Sequence, residues 1–483
     1  MDNLDYFDDN IEYHSDDKDL EEKLRQYKNL IKTKSKEELF FDSEDIEDLV
    51  YYCIDNENFF DAYDLVNLWV KTSSFSSEAW QMKGYILMRM ECYTEAIKCL
   101  NKSLALNPND IDSLLYKASA LENISKSKRA LQILEKILSL EPDNEEALFR
   151  KALLLGYRKI YNQAINIFKY LLKSELYYKN ATVELACCYH YTKKYKLAIH
   201  YYQKAIDLEP YNDELWYNKA IVHSILGQKY LALDCLDMAI TIKKDNLEAI
   251  YLKSKILRKL GKIKEAINCC EEGLITNPKN INLLYAIADL YVEIREYITA
   301  IDYYTLIISY NPNHYPSFFG RGICYDIIEN RYLALDDYNS ALRLNKKSPK
   351  IWQAKADLLY DMCRITEAIQ CYEKALKYHP NNVSCLVDYG VALFENGQLK
   401  KAEKVFLQVI LLSKKNIKAH LYLAKIYTMF GHIDISQKHI LAAILIAPSY
   451  KSVYLYDYFE TAIIYQSKST MEKLNYIVKL IFQ

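Results

Sequence analysis

Residues 179–212 read KNATVELACCYHYTKKYKLAIHYYQKAIDLEPYN. Apolar residues fall at helical spacing in two runs, a short polar turn separates them, and Pro210 stops the second. The segment is two short amphipathic helices, and the same thirty-four-residue pattern can be laid over most of the chain. Pro108, Pro142, Pro210, Pro278, Pro312, Pro380 and Pro448 are all separated by multiples of that length. Between them run two columns of small residues. One goes from Gly84 and Ala118 to Gly390 and Ala424, the other from Ala96 and Ala130 to Ala402 and Ser436. Two helices that cross at such residues pack closely, and a larger side chain there would push the axes apart. Gly227, Gly261, Gly397 and Gly431 fall in the turn between helices, where a left-handed cap suits glycine.

This register divides the 483 residues. It predicts an acidic N-terminal arm and capping helix over 1–42, with Leu20, Leu24, Tyr27 and Ile31 at helical spacing to about Thr33. A degenerate first repeat follows over 43–76, then eleven tandem repeats over 77–450. A C-terminal capping helix pair closes the stack over 451–483, where Tyr458 and Thr470 replace both small residues. The whole is expected to be all-α.

Composition agrees with a helical chain. Only 10 glycines and 9 prolines are present, too few for a loop-rich or β-rich protein of this length. The net charge of −2 hides an asymmetry: residues 1–50 hold 17 Asp and Glu against 7 Lys and Arg, a balance of −10, leaving +8 on the rest. The twelve cysteines form no CxxC pair. Cys99, Cys235, Cys269 and Cys371 share one place on the second helix, where a free thiol acts as a small apolar filler and points to a reducing, cytoplasmic setting. The start, MDNLDYFDDN, has neither the basic region nor the apolar core of a signal peptide, and no apolar run is long enough to span a membrane.

The spacing W-x2-L-G-x2-Y, then A-x3-F, then P resembles the tetratricopeptide repeat signature. Repeat 213–246 carries it as Trp216, Ala220, Ala232 and Ala239, and repeat 179–212 as Tyr189, Ala198, Tyr202, Ala205 and Pro210. The resemblance implies a right-handed superhelical solenoid of helix-turn-helix repeats, whose first helices line a concave groove that holds segments of other proteins. In such a family the second, fifth, ninth, twelfth and thirteenth positions of the first helix face the groove.

At the fifth position successive repeats read Phe149, Val183, Tyr217, Tyr251, Tyr285 and Phe319, an expected aromatic ladder. Helix packing is the plainer reading of the same column. Lys255, Arg258 and Lys259 cluster beside Tyr251, and Asp289, Glu293, Asp326, Asp357, Asp361 and Glu395 make the later groove acidic. Lys255 is expected to pair with Asp289 and Lys259 with Glu293. The surplus acids favour a partner protein or peptide segment bearing basic and apolar residues, lying along repeats 145–348.

Asparagine never occupies the ninth position, which disfavours both the carboxylate clamp of chaperone-binding relatives and an asparagine ladder gripping peptide backbone. Cys187, Cys188, His190 and His223 suggest a metal only weakly, because no further ligand is evident. No GxSxG, P-loop, dinucleotide fingerprint or HExxH occurs. The chain is therefore expected to be a non-catalytic interaction scaffold without cofactors, metal or membrane attachment. Self-association through Tyr454, Tyr456, Tyr458 and Phe459 is the rival mode, and a nucleic-acid partner is not expected from a body of only +8.

Overall fold

The computed structural model describes residues 17–33 and 42–450. The acidic residues before Asp17 and the whole of 451–483, with Tyr454, Tyr456, Tyr458 and Phe459, lie outside the described residues. Among those described, every regular element is a helix and no strand occurs. The chain divides into two compact units, Met1–Cys235 and Leu236–Gln483.

In the first unit, helix Asp17–Thr33 buries Leu20, Leu24 and Tyr27 against Ile46, Leu49, Val50 and Cys53 of helix Ser43–Asp55. The pair Ser43–Asp55 and Phe59–Thr72 then packs on helix Ser77–Arg89 through Trp69 and Ala79. From Ser77 the common repeat is a first helix of 13 residues and a second of 14, as in Ile111–Asn123 with Ser127–Leu140. Within each unit a helix packs mainly on its neighbours in the chain. In the second unit, first helices also adjoin one another in series, from Leu247–Lys259 through Ile281–Glu293, Tyr315–Ile327, Pro349–Asp361 and Val383–Glu395 to Ile417–Met429.

The small columns are fully buried, and their size is set by what faces them. A Cβ built on Gly84 would lie 2.6 Å from Leu100 Cγ, and one on Gly390 would lie 2.7 Å from Phe406 Cζ. In both repeats the small residue of the first helix meets a large one sixteen positions later on the second. Phe168, Tyr202, Tyr304, Tyr338 and Tyr372 occupy that same large-residue place and are all buried.

The ends of the helices follow from local chemistry. Asn144, Asn246, Asn280 and Asn416 each accept a hydrogen bond at 2.9–3.0 Å from the backbone N–H three residues on, capping a first helix. After Pro142 and Pro278 this cap follows two residues later, so one short segment ends a helix and starts the next. The turn inside each repeat holds one residue in the left-handed region. Gly227, Gly261, Gly397 and Gly431 take it at φ 73–77°, but Glu91, Ser125, Lys159, Lys193, Arg295, Glu329 and Cys363 take it too, at φ 58–67°. Two adjacent repeats depart from the common lengths, the second by a first helix, Tyr178–Tyr191, of 14 residues. Leu176 stands where proline is usual, and helix Tyr161–Leu171 is 11 residues long. The link is tied by Ser174, whose hydroxyl donates to Glu145 at 2.6 Å and accepts from the Tyr177 N–H at 2.9 Å.

Candidate functional site

The expected ladder residues are half-buried, and several are engaged in holding their own repeat together. Phe149 packs edge-on against Phe168 with centroids 5.9 Å apart, and its other neighbour is Tyr177 at 5.1 Å. Tyr285 meets Tyr304 edge-on at 5.7 Å and His314 at 5.6 Å, while Phe319 lies 5.9 Å from Tyr338. Tyr251 carries the Lys255 ammonium 5.1 Å from its ring centre. Val183 and Tyr217 are also half-buried. Each of Phe149, Tyr285 and Phe319 thus rests on the large second-helix residue nineteen positions later. Part of every such ring is used in the fold, and only the remainder is open to a ligand.

The charged residues pair differently from the expectation. Arg258 reaches the next repeat: its Nε lies 2.5 Å from Glu293 Oε2 and its Nη1 3.9 Å from Asp289 Oδ2. The twelfth position of one helix lies between the ninth and thirteenth of the next, and a guanidinium has the reach and the fork to serve both. Lys255 is turned onto Tyr251 instead.

The acidic residues have partners that were not foreseen. Tyr304 donates to Asp289 at 2.7 Å, Tyr372 to Asp357 at 2.6 Å and Tyr360 to Glu395 at 2.6 Å. Tyr338 reaches Asp326 at a longer 3.4 Å. Even so, burial and neighbouring carboxylates leave Asp289, Asp326 and Asp357 strained as anions. Asp357 is pushed up to about 6, chiefly by burial and then by the charges of Asp388, Asp361 and Asp326, against the lowering effect of the Tyr372 hydroxyl. Burial raises Asp289 and Asp326 as well. Asp361 is exposed at the end of its helix.

Cys187 accepts a long contact, 3.5 Å, from the Tyr202 hydroxyl, Cys188 is buried, and His223 Nδ1 lies 2.7 Å from Gln228 Oε1. Among the described residues no three His, Cys, Asp or Glu side chains group as metal ligands. None of the helices described is long and apolar enough to cross a membrane. Four strongly exposed aromatics were not foreseen: Tyr157 and Tyr191 at the ends of first helices are 79% and 66% exposed, and Tyr230 and Tyr332 at the starts of second helices 67% and 78%. They mark the turn edge of the repeat, which periodicity alone does not separate from the groove face.

Sequence models described as tetratricopeptide repeat match residues 77–110, 181–212, 201–234, 247–280, 281–314 and 364–426. The chain is a tetratricopeptide repeat protein. Its repeats form the fold of a protein-interaction scaffold. Among curated proteins the array is 27% identical to human Tetratricopeptide repeat protein 13 over 142 residues, which is 28% of this chain and 16% of that one. Among solved structures it is similar to a tetratricopeptide repeat protein from Parabacteroides merdae, 21% identical, covering 52% of this chain and 98% of that one with a TM-score of 0.38. The APC/C hetero-tetramer Cut9–Hcn1 is 14% identical, covering 94% and 97%, with a TM-score of 0.39. YrrB, titled a TPR protein with an unusual peptide-binding site, is 18% identical over 39% of this chain and 96% of that one, with a TM-score of 0.36.

Proposed function

We propose that this chain is a non-catalytic scaffold that holds a basic segment of a partner protein against the first helices of its second unit, from Tyr251 to Asp361. The observation that carries this reading is the accumulation of carboxylates there. Asp326 stands on one repeat and Asp357 and Asp361 on the next, and Asp326 and Asp361 each raise the proton affinity of Asp357. Packing like charges on a partly dehydrated face costs stability. Lys or Arg side chains of a ligand would neutralise that cost on binding, and the open parts of Tyr251, Tyr285 and Phe319 would supply apolar contact area. The Arg258 fork on Asp289 and Glu293 closes the basic end of the same face.

Selection of a random peptide library on the full chain tests this reading. Enriched peptides should carry Lys or Arg beside an aromatic or aliphatic residue. Their binding should weaken about tenfold in D326N/D361N, a loss of roughly 1.4 kcal/mol. Enrichment of acidic or uncharged peptides, or equal binding by that variant, would refute it.

A further inference from the structure

A second charged feature lies where first helix Pro349–Asp361 meets second helices Arg331–Leu344 and Ile365–Tyr378. Trp352 stands in an open recess of about 500 Å³ whose lining includes Arg343, Lys346, Lys355, Lys374 and Lys377 and no Asp or Glu. The Lys374 ammonium lies 4.4 Å from a Trp352 ring centre and that of Lys355 5.6 Å. The contacts that order this recess are neutral. Trp352 Nε1 donates to the Lys346 carbonyl at 2.9 Å, Lys355 to Asn339 Oδ1 at 2.6 Å, and Arg343 to the Ser340 hydroxyl at 2.7 Å. Nearby acids are engaged elsewhere. Glu367 accepts two hydrogen bonds of 2.7 Å from Arg364, and Glu373 accepts from the Tyr389 hydroxyl at 3.0 Å.

The repeat provides its own control. Trp216 occupies the same position and makes the same indole bond, to the Pro210 carbonyl at 3.0 Å. Around it the places of Arg343, Lys374 and Lys377 are held by Asp207, Met238 and Thr241. At Trp80 they are held by Lys71, Lys102 and Ala105, and Ser74 replaces Lys346. The corner therefore folds without five cations, and only the Trp352 corner collects them all. Five positive groups in one recess repel one another unless an anion joins them.

We infer that the Trp352 recess is a binding site for an anionic protein segment, one presenting clustered carboxylates or phosphoryl groups to the five cations. Lysines seated on an indole keep their ammonium donors directed outward while the ring partly replaces their hydration. Such a site takes up a flexible acidic stretch without fixing its sequence. It stands apart from the acidic face, so that variants of Asp326 or Asp361 leave it intact.

The test is fluorescence anisotropy on the full chain at low salt, with a labelled hexaglutamate, a labelled peptide of equal length bearing two phosphoserines, and a labelled oligothymidine of matched charge. At least one acidic peptide should bind, more weakly as salt rises. Its affinity should fall tenfold or more in K374Q/K377Q and again in R343Q/K346Q, each retaining the helical circular dichroism of the parent. K102Q, which changes the equivalent lysine at Trp80, should have no effect. Tighter binding of the phosphopeptide would assign the natural group as phosphoryl, and equal binding would assign a carboxylate-rich segment. The inference is overturned if neither peptide binds, if K102Q weakens binding as much as the recess variants, or if oligothymidine binds more tightly than both peptides.

Discussion

The hydroxyl of Tyr372 donates to Asp357 Oδ1 at 2.6 Å, tying the second helix of repeat 349–382 to its first. The partners are fifteen residues apart, and the relationship recurs with Tyr304 and Asp289 at 2.7 Å and with Tyr202 and Cys187 at 3.5 Å. Where the second-helix residue is Phe168 or Phe406, Leu153 or Val391 stands at the matching place. A buried hydroxyl thus finds an acceptor, and a buried phenyl finds an apolar neighbour.

Tyr372→Phe removes a donor to the charged form of Asp357, so the Asp357 proton should leave at a pH above its present value of about 6. Carboxyl resonances followed by NMR during a pH titration measure this. A midpoint that stays put or falls would mean that the bond does not favour the carboxylate.

Asp357 also predicts a slope in stability. Its folded-state value lies above the unfolded one, so below about pH 4 both states hold the proton and the contribution is fully present. As pH rises toward 6 and beyond, the folded state must ionise a partly buried group, and that contribution is lost. Urea midpoints at pH 4.5 and 7.5 should therefore fall less with pH in Asp357→Asn than in the parent.

Gly390→Ala should destabilise the array by about 1–3 kcal/mol, because the new methyl would meet the fully buried Phe406 ring. Gly156, whose Cβ would meet nothing within 4 Å, is the matched control. It lies inside helix Glu145–Tyr157, so Gly156→Ala should leave the chemical-denaturation midpoint unchanged or raise it.

Arg321 grips Asp337 with two hydrogen bonds of 2.7 and 2.8 Å and reaches Thr305 Oγ1 at 2.9 Å, and Asp337 is only 3% exposed. Arg321→Met strands that carboxylate and should cost about 3–5 kcal/mol at neutral pH. Adding Asp337→Met should return most of the loss, since two apolar side chains need no partner. Urea denaturation of the two variants tests both signs.

Much of the fold is legible in the sequence because its marks are small and backbone-level. Ala300 and Ala334 are fully buried, and Pro278 and Pro312 each follow a helix end. The site is less legible because its residues pair across helices. Lys255 looked like the partner of Asp289 but lies on Tyr251, and Arg258 reaches both Asp289 and Glu293, since adjoining helices are offset in phase. Tyr285 and Phe319 looked like free rungs, yet they rest on Tyr304 and Tyr338 nineteen positions on. The bonds from Tyr304 to Asp289 and from Tyr372 to Asp357 were visible as pairs at fixed spacing, had the two columns been read together. No periodic signal could have shown that helix Tyr161–Leu171 is short: proline is absent at Leu176, but it is equally absent at Lys244, Lys346 and Lys414, where the preceding helices keep 14 residues.

The left-handed turn residue is set by the geometry of the repeat and not by glycine. Lys193, Arg295 and Glu329 are each held where a side chain costs about 1 kcal/mol or somewhat more. Turns of adjacent repeats touch, as where Tyr161 stacks on Tyr191 with centroids 5.5 Å apart, but turns more than one repeat apart are separated by whole helices, so relief at two such turns should add. The array therefore carries a row of separate adjusting screws. Each could be loosened or tightened by one residue, grading the local rigidity of a chosen repeat while both proposed binding surfaces keep their chemistry.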